Sequence, residues 1–279
     1  MSARESKKRE DGRGLYVYCV GEGAALSELF EGDLPPAIEA ENGLKIIGAG
    51  DLAAIVSAVP LVDYGEEALL SRLGDATWTA LRAMRHERVV EHFARRASVV
   101  PLRFGTIYLE RARVEQMLTE KRDDLRSIIE RLRGREEWGL NLTRDRAQLL
   151  ENIVSLSPRL RELTERAEGS SPGQSYLVRK KIDALRETEG RAETKRVIAE
   201  IERELLGQAE GAARLRVLKD EANEHGEVVA KFAFLVDGAS FDRFREAAER
   251  LAREYEPSGF RLELTGPWPA YNFAASGRN

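Results

Sequence analysis

The sequence has 279 residues, of which 42% are hydrophobic and 33% carry a charged side chain. At about 150 residues per domain this length predicts two domains, and a chain of this size buries most of its surface on folding. The balance of 44 basic and 48 acidic side chains gives a net charge of −4, which argues against a broad nucleic-acid-binding surface. A single cysteine, Cys19, excludes an intramolecular disulfide and a cysteine-rich zinc site. No segment has the long apolar run of a membrane span or a signal peptide, so we expect a cytoplasmic protein with no membrane contact.

The first half of the sequence opens with strands. The charged residues 1–13 predict a disordered tail, and the aromatic and β-branched residues 15–20 predict a strand that ends in a glycine turn at 21–23. Residues 43–47 and 52–57 flank a glycine-rich turn, which predicts a β-hairpin.

Helical periodicity begins after residue 66. One predicted helix is amphipathic, with the apolar residues of one side expected to face a core. These residues are Trp78, Leu81, Val89, Val90, Phe93 and Ala97. A short apolar strand is predicted at 98–102. A second helix ending near Gly134 is predicted from a further apolar arc, which consists of Val114, Met117, Leu118, Leu125, Ile128 and Leu132.

The second half has a different order of elements. Trp138, Leu140 and Leu142 alternate with polar or small residues as in a half-buried strand, and residues 145–211 form a charged insertion of two or three helices, one of them around 176–186. Strands are predicted at 215–217 and 228–236. A regular amphipathic helix and a final alternating strand follow, carried by Phe241, Phe244, Ala248, Leu251 and Tyr255 and by Phe260, Leu262 and Leu264.

These elements predict an α+β protein of two domains. Residues 14–134 form an N-terminal α+β domain, and residues 135–265 form a C-terminal domain with the βαββαβ order of a ferredoxin-like fold and a helical insertion at 145–211. The N-terminal sheet is related but less regular. Residues 266–279 are predicted to be an extended C-terminal tail.

Residues suited to catalysis or metal binding are scarce. His86 lies on the apolar arc of its helix, where a buried, hydrogen-bonded structural histidine is favoured over a catalytic base. His92 and His225 form no metal-binding pair with it, and Cys19 has no neighbour in sequence that would lower its pKa. Phosphate-binding loops and nucleophile elbows are absent from the sequence. We therefore predict no enzymatic activity, no catalytic residue, no cofactor and no metal site.

Three further segments carry residues of types used in binding. Phe232 and Phe234 fall where RNA-recognition domains place stacking aromatics, but the glycine and basic residues of that motif are missing, so we expect both rings to face the helices. Arg103 lies between apolar neighbours and is interpreted as a buried, satisfied arginine, with an anchor at a surface groove as the alternative. Prolines on both sides of Trp268 impose an extended chain, and so apolar a tail either docks on its own protein or meets a partner.

Six motifs in order along the chain resemble one family, the gas vesicle protein F/L family (GvpF/GvpL). They are Leu-Tyr-Val-Tyr at 15–18, the helix with His86 leading into Val-Val-Pro-Leu-Arg-Phe-Gly-Thr at 99–106, Glu-Trp-Gly at 137–139, Tyr-Leu with Arg-Lys-Lys at 176–181, Phe-Ala-Phe-Leu-Val at 232–236, and Thr-Gly-Pro-Trp-Pro-Ala-Tyr-Asn-Phe at 265–273. The sequence departs from the family pattern at Asn141, where a lysine is usual, and at Ala270, where a second proline is more common.

The resemblance implies a two-domain α+β protein with ferredoxin-like character, and neither catalysis nor a cofactor. It implies an accessory protein associated with gas vesicles that binds their hydrophobic shell protein and assists nucleation or early assembly, together with other accessory proteins in some cases. Two alternatives remain, namely a minor structural component that stays in the vesicle wall and, more distantly, an RNA-binding ferredoxin-like protein.

A groove between the two domains is our hypothesis for where shell protein binds. Aromatic and arginine side chains are typical interface anchors, and the alternative is that the same residues hold the domains together. The residues predicted to line the groove are Arg103, Phe104, Trp138, Trp268, Tyr271 and Phe273.

Overall fold

The structure is a computed structural model that describes residues 12–275. Contacts between Cα atoms divide the protein into two compact units: the first holds the described residues up to Arg135 together with those from Pro269 onward, and the second is Glu136–Trp268. The sequence had placed this boundary after residue 134 and the start of the tail at residue 266. Of the tail predicted at 1–13, residues 1–11 lie outside the described residues, and Arg13 already begins the first strand.

The first unit is built on an antiparallel sheet. Its strands are β1 (Arg13–Glu22), β2 (Leu44–Ala49), β3 (Leu52–Pro60), β4 (Val99–Pro101) and β5 (Ile107–Tyr108). They follow the order β2-β3-β1-β4, with β5 paired to β1. The predicted hairpin is confirmed, because β2 pairs with β3 across a turn in which Gly50 adopts a left-handed φ of 64°.

The helices of the first unit differ from the prediction in three places. They are α1 (Gly23–Phe30), α2 (Leu61–Tyr64), α3 (Glu66–Arg72), α4 (Ala76–Ala94), α5 (Arg111–Glu120) and α6 (Arg122–Leu132). In place of the predicted turn at 21–23, β1 ends at Glu22 and α1 begins at the next residue. The second apolar arc is buried as predicted, but it is shared by two helices that meet at Lys121. Leu81 does not face the core: it is exposed, while Trp78 packs against the buried cluster.

The second unit has a second sheet of five strands. They are β6 (Arg135–Arg144), β7 (Gly211–Leu215), β8 (Ala222–Asn223), β9 (Gly226–Asp237) and β10 (Phe260–Trp268). The order is β10-β6-β9-β7, with β8 paired to β9. If β8 is left out and the other four strands are numbered along the chain, their order in the sheet is 4-1-3-2. This order, with one helical crossover in each half, is the ferredoxin-like arrangement. The predicted fold class is confirmed, although the strand expected at 215–217 lies four residues earlier.

Helices cover one face of this sheet. They are α7 (Arg146–Leu156), α8 (Pro158–Glu168), α9 (Pro172–Leu206) and α10 (Phe241–Tyr255). The insertion thus contains three helices, and the one predicted around 176–186 extends over 35 residues. Phe232 and Phe234 are buried in the core with α10, so they face the helices as expected and offer no stacking surface for bases. Within residues 12–275 no helix combines the length and apolar character needed to cross a bilayer.

Candidate functional site

The six predicted groove residues fall in two places. Arg103, Phe104, Tyr271 and Phe273 belong to the first unit, whereas Trp138 and Trp268 belong to the second. In the first unit, the rings of Phe104 and Tyr271 lie 5.8 and 6.3 Å from that of His86. In the second, β6 and β10 bring the motifs that contain the two tryptophans into register.

A line of hydrogen bonds passes through the interior of the first unit, and we call it the Tyr–His network. The backbone N–H of Gly105 donates to the Tyr16 hydroxyl at 3.0 Å, and that hydroxyl lies 2.9 Å from Nδ1 of His86. On the other side of the ring, Nε2 lies 3.0 Å from the hydroxyl of Tyr271. The Tyr271 hydroxyl donates to Oε2 of Glu87 at 3.1 Å. The network thus joins β1, α4, the loop before β5 and the C-terminal segment.

With Glu87 ionised, the chemistry of the donors gives every bond in this network a direction. Tyr271 has one hydroxyl hydrogen, which points to the Glu87 carboxylate, so its oxygen accepts from Nε2–H of His86. A neutral imidazole with its hydrogen on Nε2 accepts at Nδ1, and Tyr16 supplies that hydrogen. The Tyr16 oxygen in turn accepts from Gly105. Among the described residues, each hydroxyl and each ring nitrogen of the network has a hydrogen-bond partner, as buried polar groups require.

Burial keeps the network in this protonation state. Removal from water lowers the pKa of His86 from 6.5 to about 4, so the ring is neutral near pH 7. Burial also raises the pKa of the Tyr271 hydroxyl, which keeps it protonated. For Glu87 burial raises the pKa of the carboxyl, and the hydrogen bond from Tyr271 opposes this by favouring the ionised form. Both ring nitrogens of His86 are occupied by tyrosine hydroxyls, so the ring has no free position for proton transfer to a substrate. The prediction of a buried, hydrogen-bonded histidine is confirmed.

The C-terminal segment after β10 docks on its own protein, which decides between the two alternatives drawn from its sequence. Pro269 is buried, and the Tyr271 ring packs against the hydrophobic cluster of the first unit. Arg131 of α6 donates to the carbonyl oxygens of Phe273 and Ala275 at 2.5 and 2.9 Å. This segment is therefore part of the folded first unit.

The position of Arg103 differs from the one interpreted from the sequence. Its side chain is exposed, so the reading as a buried, satisfied arginine is wrong. The backbone of its loop is nevertheless fixed, because Thr106 donates its hydroxyl to the Arg103 carbonyl at 2.7 Å and Gly105, at φ 83°, is held by Tyr16. Phe104 is half-buried and packs edge-on against Tyr16.

The two tryptophans of the second unit have different surroundings. Trp138 stacks on Phe241 at 4.2 Å between ring centroids and packs against the helix-side core. Trp268 is 49% exposed. Its indole N–H donates to the Thr265 hydroxyl at 3.1 Å, and a Cβ atom at Gly139 would lie only 2.7 Å from that hydroxyl oxygen. A glycine opposite Thr265 is therefore needed to seat Trp268.

Few residues in the described part of the protein are suited to binding a metal or a cofactor. Between residues 12 and 275 no cluster of three or more histidine, cysteine, aspartate or glutamate side chains is placed to hold a metal ion. Cys19 is fully buried, and burial raises the pKa of its thiol. Asn141, at the position where the family usually has a lysine, donates to Glu263 on the neighbouring strand at 3.3 Å.

Comparisons with known proteins identify the family of this protein. The family model described as gas vesicle synthesis protein GvpL/GvpF matches residues 14–275. The protein belongs to the GvpL/GvpF family. It is 29% identical to gas vesicle protein L of Streptomyces sp., covering 93% of this chain and 92% of that protein, and 28% identical to gas vesicle protein L1 of Halobacterium salinarum, covering 96% and 93%. The crystal structure of GvpF from Anabaena sp. superposes with a TM-score of 0.68 at 17% identity over 95% of this chain and 98% of that one, which supports the fold.

Tyr16 and Glu87 complete the Tyr–His network of this GvpL/GvpF protein, and sequence reasoning did not select either of them. Tyr16 is separated from His86 by 70 residues, and Tyr271 is 184 residues from Glu87, so no local spacing connects them. The available indication was the family motif at 15–18, which had been assigned only to a strand.

Removing the hydroxyl of Tyr271 tests the network. In Tyr271→Phe, the Nε2–H of His86 loses its buried acceptor and Glu87 loses a donor, so we expect the free energy of unfolding to fall by about 1–3 kcal/mol. Tyr108→Phe is the matched control, because the Tyr108 hydroxyl has no hydrogen-bond partner within residues 12–275. Urea denaturation of both variants measures the difference, and equal stabilities would contradict the assigned role.

The neutral state of His86 also predicts a pH dependence. Between pH 6.5 and about 4 the unfolded protein protonates this histidine and the folded protein does not. The stability it contributes is therefore complete above pH 6.5 and declines as the pH falls through this window, by about 3 kcal/mol in all. Glu87, with its raised pKa, acts in the opposite sense at the acidic end.

Urea denaturation at a series of pH values measures this effect. His86→Gln should flatten the profile relative to the wild type. A His86→Gln profile parallel to that of the wild type would show that His86 titrates normally in the folded protein.

Proposed function

We propose that this protein is a gas vesicle accessory protein that binds the hydrophobic shell protein and assists nucleation or early assembly of the vesicle. In this role it acts by binding and carries out no catalysis. It works in the cytoplasm and associates with growing vesicles, alone or with other accessory proteins. Membership of a family of gas vesicle synthesis proteins supports this proposal.

The observation that carries the proposal is the exposure of Trp268. Tryptophan is enriched among the residues that dominate binding energy at protein interfaces. Here the indole is fixed by Thr265 and seated on Gly139, yet about half of its surface faces solvent. A large side chain that is already ordered loses little conformational entropy when a partner covers it. Trp268 is thus suited to act as a rigid apolar anchor.

The surface composition suits the same role. A subunit that polymerises into a wall has apolar surface and open strand edges, and both lead to aggregation before assembly. A partner in which 33% of the residues are charged can cover such a surface while the complex stays dissolved.

The other five predicted groove residues differ in what they offer a partner. Tyr271 and Trp138 are engaged inside their own units, and Phe104 and Phe273 are half-buried. Arg103 is exposed on a fixed loop and is the second candidate contact.

Co-expression with the shell protein tests the proposal. We expect this protein to raise the soluble fraction of shell protein, and Trp268→Ala to weaken binding by about 30-fold, which corresponds to about 2 kcal/mol. Leu218→Ala is the control, because Leu218 is 61% exposed in the same unit and is not part of the Trp268 seat. Shell protein that precipitates equally with and without this protein would contradict the proposal.

A further inference from the structure

The beginning of α9 carries an exposed surface that neither the core nor the proposed shell contact uses. Tyr176 and Leu177 are 58% and 66% exposed, although both are large apolar residues. Lys180 and Lys181 follow four residues later and therefore lie over the same side of the helix. The Lys180 ammonium is 5.3 Å from the Tyr176 ring centroid. We call these four side chains the basic face.

Positive charge is concentrated at this point of an acidic protein. From Gly169 to Ile182 the sequence has no acidic residue, but it has Arg179, Lys180 and Lys181. Among the described residues none of these three cations forms an ion pair, and their one side-chain contact is that of Lys180 with the Tyr176 ring. The opposite side of the helix is the side that folds inward, because Ile182 is buried and Val178 packs against the core.

A surface of opposite charge lies on α3 in the first unit. Leu70 and Leu73 are 68% and 43% exposed, and Glu66 and Glu67 lie on the same side of the helix one turn earlier. Neither glutamate forms an ion pair with another residue between 12 and 275, whereas the nearby Arg72 is neutralised by Asp63 at 2.6 Å. We call Glu66, Glu67, Leu70 and Leu73 the acidic face.

The two faces complement each other. Each has two exposed apolar side chains and two like charges within about two helical turns, and the charges on the two faces are of opposite sign. We propose that the protein self-associates by docking the basic face of one copy on the acidic face of a second copy. Such a contact covers Tyr176 and Leu177 with Leu70 and Leu73 and pairs the lysines with the glutamates.

The symmetry of this contact determines which kind of oligomer forms. The two faces are different surfaces, so the contact is heterologous, and a pair of copies keeps one unused basic face and one unused acidic face for further copies. Association therefore yields rings or open chains in place of a closed two-fold dimer. Two short helix faces bury less area than a standard interface, so the complex should be weak, dependent on protein concentration and sensitive to salt.

Charge reversal in the full-length protein tests this inference. Sedimentation velocity over a range of protein concentrations at low ionic strength should show species larger than the monomer. Both the double variant Lys180→Glu, Lys181→Glu and the double variant Glu66→Lys, Glu67→Lys should raise the dissociation constant at least about tenfold, because like charges then face each other. Their equimolar mixture should regain association, since each variant then offers the face that the other lacks.

Controls separate this effect from misfolding and from net charge. Circular dichroism checks that each variant is folded, and Lys45→Glu with Lys219→Glu makes the same change in net charge as the lysine reversal, at exposed positions outside both faces. That control variant should associate like the wild type. A wild type that stays monomeric at all concentrations, association that survives either reversal, or a mixture that remains monomeric would each overturn the inference. None of these results depends on shell protein binding.

Discussion

The hydroxyl of Tyr271 lies between the imidazole of His86 and the carboxylate of Glu87, and the network around that contact joins four elements of the first unit. A buried polar atom without a partner is costly, so Tyr16, His86, Tyr271 and Glu87 stabilise the fold only when all of them are present and correctly protonated. Through Gly105 the same network fixes the loop that presents Arg103. Two family motifs distant in sequence, at 99–106 and at 265–273, are thereby held to one helix.

Because Tyr271 belongs to the Tyr–His network, the aromatic residues of the motif at 265–273 have different roles. Tyr271 is used for the interior of the first unit, whereas Trp268, three residues earlier, is seated on β6 of the second unit and keeps about half of its surface in solvent. An aromatic-rich segment can therefore contribute to stability and still present one ordered apolar side chain. A substitution at either position should be interpreted with this division in mind, since loss of binding after a change at Tyr271 can result from loss of structure.

The sequence predicted what depends on local periodicity. The hairpin of β2 and β3, the apolar face of α10 and the ferredoxin-like order of strands follow from alternation and helical spacing. The junction at Lys121 and the full length of α9 were missed, because an apolar arc does not reveal where a helix breaks and a charged helix has little periodicity. The partners of His86 and the exposure of Arg103 depend on contacts between residues far apart in sequence, which spacing alone does not encode.

The protonation state of His86 provides the most direct test of the network. Nitrogen-15 NMR of the histidine rings in the intact protein distinguishes a neutral ring with hydrogen on Nε2 from the other tautomer and from the imidazolium. We predict that His86 is the neutral Nε2–H tautomer at pH 6 and remains so until the pH approaches about 4. A His86 ring that carries its hydrogen on Nδ1, or that titrates near pH 6.5, would contradict the account.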